Sequence, residues 1–76
     1  MKAGKTATRR IACNEVMTPE GQRLIQYVLE ISDGIVLKHY PLLNEMPFTE
    51  WFQGQIVLRD DEQGNIVAYY RGKPIT

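Results

Sequence analysis

The chain has 76 residues, so it forms one domain at most, and a core of that size leaves little stability to spare. A hydrophobic share of 43% excludes wholesale disorder, and nine basic against nine acidic residues exclude the simplest electrostatic case for a nucleic-acid partner. The one cysteine, Cys13, excludes an internal disulfide and fits a reducing, cytoplasmic setting; no stretch has the roughly 20 apolar residues of a membrane-spanning helix.

Residues 1–8 (MKAGKTAT) lack periodicity, precede Arg9 and Arg10 in a run without acids, and read as a mobile basic arm rather than an apolar leader. A single small β domain is expected over 9–72, with 73–76 as a tail. The first strand spans Arg9 to Met17, with Ile11, Cys13 and Glu15 on one side. Thr18-Pro19-Glu20-Gly21 fits a helix start or a turn between strands. The segment Gln22 to Ser32 carries both periods. Ile25, Tyr27, Leu29 and Ile31 alternate as a strand would, whereas Leu24, Val28 and Ile31 would share a helix face.

The Asp33-Gly34 dipeptide favours the strand. Both residues tolerate positive φ, as a two-residue type I′ hairpin turn requires. The simplest register pairs Ile31 with Val36, Leu29 with Lys38 and Tyr27 with Tyr40. Tyr27, Leu29, Ile31, Val36 and Tyr40 then form a buried face, with Lys38 the exception. Val28, Ile35 and Leu37 need cover on the other face, where Glu30 also stands near His39.

Pro41 to Phe48 (PLLNEMPF) is irregular because two prolines interrupt any ladder. Thr49 to Gly54 fits a single helical turn capped by Thr49 and ended by Gly54. Gln55 to Asp60 and Ile66 to Arg71 read as strands around a loop with Gly64 left-handed. The expected fold is therefore mostly β: a five-stranded antiparallel meander rolled into a small open barrel or thin sandwich. The alternative is α+β, with a helix at about 19–31 packed on the sheet.

The run Thr18-Pro19-Glu20-Gly21 followed by Val28-Leu29-Glu30-Ile31-Ser32-Asp33-Gly34-Ile35-Val36 resembles the small N-terminal β domain of amidohydrolase-family enzymes over about residues 11–38. The resemblance implies a strand for Gln22 to Ser32. It transfers no catalytic residue, because the family's HxH metal motif and later ligands have no counterpart in this sequence. An accessory fragment or subunit of such an enzyme is the function it implies.

No catalytic, cofactor or metal residues are expected: His39 and Cys13 each stand alone, and Asp60-Asp61-Glu62 sits in a turn. The candidate partner surface is aromatic, comprising Tyr40, Phe48, Trp51 and Phe52 around the proline-interrupted segment, with Tyr69 and Tyr70 near the C-terminal end. The expected function is a non-catalytic protein-interaction or assembly module, self-association included. The alternative is a nucleic-acid-binding small barrel built on Tyr69, Tyr70, Arg71 and Lys73. No membrane role is expected.

Overall fold

A computed structural model describes residues 8–44 and 46–76. The expected basic arm at 1–8 thus lies, except for Thr8, outside the described residues. Six strands follow in order: β1 (Arg9–Met17), β2 (Arg23–Ser32), β3 (Ile35–Pro41), β4 (Glu50–Asp60), β5 (Ile66–Tyr70) and β6 (Lys73–Pro74). They form one sheet in the order β3-β2-β1-β4-β5-β6. The sheet curls into a half-barrel that brings β3 toward β5. The expectation of a mostly-β chain rolled into an open barrel holds, and Gln22 to Ser32 is strand rather than helix from Arg23 onward.

Two features differ from a five-stranded meander. A sixth strand extends the sheet past Gly72, and Ile75 behind it is buried in the core, so the ordered chain runs beyond the expected end. And β1 pairs with β4 in parallel, Ile11 opposite Glu50 and Val16 opposite Ile56. The sheet is thus two antiparallel three-strand units joined along one parallel seam. Three consecutive buried residues, Ile11, Ala12 and Cys13, mark β1 as central and covered on both faces at that level.

The Asp33-Gly34 turn is as expected, with φ of 55° and 80° and Ser32 opposite Ile35. Beyond Val36 the register slips: Ile31 faces Val36, but Glu30 faces Lys38, leaving Leu37 as the extra residue of a bulge. One residue of slip turns every later side chain of β3 over. Lys38, the misfit of the simple register, moves to the outer face opposite Glu30. Tyr40 moves there too, opposite Val28, and out of the buried face assigned to it. Its hydroxyl donates to Glu30. His39 now lies opposite Leu29, on the inner side, its ring 5.9 Å from that of Tyr27. The expected neighbourhood of Glu30 and His39 does not form.

A second irregularity crosses three strands at one level. Gln26 on β2 has φ of 53°, the β1–β4 register shifts between Cys13 and Glu15, and Gly54 on β4 has φ of 106°. The Asn14 side chain ties the level together, its Oδ1 accepting from the Gly54 amide at 2.7 Å. Inward residues change parity across this corner, from Ile11 and Cys13 to Val16 on β1, and from Leu29 and Tyr27 to Leu24 on β2. Ile25 and Glu15 consequently point outward. Ile25 is 61% exposed instead of sharing the face of Leu29. Glu15 accepts from Arg23 and from the Gln55 amide instead of lining up with Cys13. The corner curls the sheet, and Ile56, Leu58 and Ala68 complete the core from the other half.

The expected helical turn at Thr49 to Gly54 is instead the first half of β4. Hydrogen bonding to β1 along a whole ladder outweighs one isolated turn, which satisfies few backbone groups. Gly54 marks the corner rather than a helix end.

Candidate groove on the outer face

The outer face has its own row across four strands. Tyr40, Val28, Ala12 and Trp51 are successive partners on β3, β2, β1 and β4. Small or medium side chains thus lie between two large aromatics, spaced over three strand intervals, about 14 Å. Val28 and Ala12 are buried although they face away from the core. Residues 42–44 and 46–49 lie along this face. The Leu42 amide donates to the Gln26 carbonyl at 2.8 Å. At the other end Arg10 Nη1 donates to the Pro47 carbonyl at 3.3 Å.

The cover is incomplete. Between it and the sheet lies a groove of about 560 Å³, with Ala12 at its floor and Trp51, Leu42, Leu43 and Met46 among its walls. Trp51 is 50% exposed and Leu43 81%, and Phe48, held at φ of 56° beside Pro47, is 95% exposed. Leu43 and Trp51 line the concavity, and Phe48 is exposed on the same short stretch of chain, three residues before Trp51. Beside the groove stands a charge cluster in which Glu30 faces Arg10 Nε at 3.7 Å and Lys38 Nζ at 3.9 Å. Burial, followed by the Glu30 hydrogen bond, pushes the Tyr40 phenol up from its ordinary value.

The six aromatic candidates do not form one surface. Tyr40, Phe48 and Trp51 belong to the outer face and its cover. Phe52 and Tyr70 turn inward and pack edge to face, centroids 4.8 Å apart, with the Tyr70 hydroxyl donating to the Gln53 carbonyl at 2.6 Å. Tyr69 stands on the outer side of the other half-sheet, opposite Val57 and beside Arg59. Ala12, Gln26, Leu42, Leu43 and Met46 were not among the sequence candidates. The apolar Leu42, Leu43 and Met46 in a segment too broken for a ladder were the available signal.

Several other titratable groups are engaged structurally. Arg9 holds Glu50 through two nitrogens at 2.9 and 2.6 Å and reaches the Thr76 carbonyl at 2.6 Å. The guanidinium hydrogen bond holds Glu50 below the usual carboxylate range, and that of Arg23 does the same for Glu15. Cys13 is buried, and desolvation pushes its thiol up to about 11. Among the described residues no group of three or more His, Cys, Asp or Glu side chains comes together to hold a metal, and no helix is long and apolar enough to cross a membrane. Comparison with protein-family models, curated proteins and solved structures returns no match.

Proposed function

We propose that this domain is a protein-interaction or assembly module that uses the outer-face groove and its rim as the contact surface. The observation that supports this most is the exposure of Leu43 and Trp51 in the lining of one concavity, with Phe48 almost fully exposed close by in the chain. Leaving such side chains in water costs hydrophobic free energy that a partner would recover. A tryptophan over a pocket, set beside a polar cluster, has the composition of an energetic anchor at a protein interface. The neutral total charge puts no long-range repulsion in the way of a second copy of the chain.

Trp51 is the only tryptophan, so its emission reports on this surface alone. With protein partners or a second copy seated there, wild-type protein shows a blue-shifted emission and a larger hydrodynamic size as concentration or partner rises. The variant carrying both Phe48→Ser and Trp51→Ala keeps its β-sheet circular dichroism and binds roughly thirtyfold more weakly, the scale of a 2 kcal/mol anchor. A wild-type protein that stays monomeric at high concentration, and captures the same proteins as the double variant, would remove the reading.

A further inference from the structure

The second half-sheet carries a different surface. On its outer side, Gln55 and Val57 of β4, Arg59, Tyr69 of β5, Arg71 and Gly72 enclose a concavity of about 480 Å³. That volume is within the roughly 300–1,000 Å³ of small-molecule sites. Among the described residues no carboxylate lines it. The arginines there are also set apart from the others. Arg9, Arg10 and Arg23 each have a carboxylate partner within 4.0 Å, whereas Arg59 and Arg71 have none among the described residues. Each instead lies near an aromatic ring: the Arg59 guanidinium carbon is 5.8 Å from the Tyr69 centroid, and that of Arg71 is 5.2 Å from Tyr70. Two guanidiniums without a carboxylate partner thus stand at one concavity, with Asp60, Asp61 and Glu62 following Arg59 in the adjoining turn.

We propose that this concavity binds a nucleotide unit of single-stranded nucleic acid, with the base against Tyr69 and Val57 and phosphates on Arg59 and Arg71. The chemistry needs both halves of that ligand. A planar ring matches the Tyr69–Val57 floor, for which an acidic peptide has no counterpart in its carboxylates. Two guanidiniums match phosphate oxygens in geometry and charge. Gln55 Nε2 is already donated to Glu15 at 2.6 Å, which leaves the amide oxygen to accept from a base edge. Stacking on an aromatic with arginines along the backbone is how sequence-tolerant single-strand binders work. This site is separate from the Trp51 groove and does not depend on it.

The test uses fluorescence anisotropy of labelled oligothymidine with the full chain across a salt series, and amide chemical-shift mapping of the complex. Binding is expected at low salt with a log–log salt slope of about −1.4, from about −0.7 per phosphate contact on two arginines. Shifts should centre on Gln55, Val57, Tyr69 and Gly72. Arg59→Glu and Arg71→Glu should each weaken binding roughly tenfold, and Tyr69→Leu should do so with the salt slope unchanged. Trp51→Ala should bind as wild type does. Thymidine monophosphate that competes as well as the oligomer identifies a free nucleotide as the source of the same chemistry, and a much weaker monophosphate identifies the strand. The proposal is overturned by no binding at low salt, by shifts centred elsewhere, by inorganic phosphate competing as well as the nucleotide, or by full affinity in the two arginine variants.

Discussion

Cys13 illustrates what one buried atom commits the chain to. Its sulfur lies in the core within 3.4 Å of the Glu15 carbonyl, at the level where β1 bends. Desolvation disfavours the thiolate, so the thiol titrates near 11 in the folded state against an ordinary value of 9.0. The folded form therefore holds the proton more tightly than the unfolded form. The stability this contributes is complete below pH 9.0 and is lost as pH rises toward about 11. Urea midpoints of wild type should fall across that alkaline window more than those of Cys13→Ala, which starts lower but lacks this slope. Equal slopes would show that Cys13 ionises as freely in the fold as out of it. A thiol reagent at neutral pH should likewise modify Cys13 only at the rate of opening.

At the scale of the strand, the corner at Gln26, Asn14 and Gly54 decides which residues face the core. A side chain with φ of 53° is held away from its own preferred backbone by the strands on either side. Gln26→Val puts a β-branched residue in that conformation and should cost more than 1 kcal/mol, on the order of the penalty for left-handed backbone. Gln26→Gly should be neutral or stabilising by up to about 1 kcal/mol, since relieved strain competes with greater unfolded-state entropy. Denaturant melts that rank Val at or above Gly would mean that β2 runs straight there.

The same elements show how far the sequence could be followed. Asp33-Gly34 carries its turn in two residues, so it was legible, and alternation placed Leu29 and Ile31 correctly. The bulge at Leu37 and the bend at Gln26 were not, because neither position has a glycine to mark it. Both arise from tertiary demands, the closure of the half-barrel and the burial of Val36 with Lys38 kept in water. Only the awkward Lys38 hinted at the slip. Of the aromatic candidates, Tyr40, Phe48 and Trp51 lie in or beside the proline-interrupted segment. Phe52 could not be separated from Trp51 without knowing that Thr49 to Gly54 is strand, since only a period of two sends neighbours to opposite faces.

At the scale of the whole molecule, the half-barrel is closed by parts far apart in the chain. Ile75 is 6% exposed and belongs to the same core as Ile11, its amide donating to the Ala68 carbonyl at 2.9 Å. Nearby, Arg9 joins β1 to Glu50 of β4 and to Thr76. Ile75→Ala should therefore cost roughly 2 kcal/mol or more, as a buried isoleucine truncation does, despite its place beyond the last strand. A loss near zero in thermal or urea unfolding would mean the core closes without it. The Arg9–Glu50 pair is exposed enough that its contribution should be modest and weaken with added salt.

The parallel seam also sets an order of events. Within each three-strand unit, pairing joins segments that follow one another, and closing such short loops costs little entropy. The seam is different: Ile11 meets Glu50 across about half of the chain. Long-range pairing of this kind governs the rate at which small β domains fold. The crossover that makes the seam possible is the same segment whose Leu42, Leu43 and Met46 wall the outer groove. The groove thus has no existence in either unit alone. It comes into being only when the slowest contacts of the chain have formed, so occupancy of that surface is a property of completed molecules and never of partly folded ones.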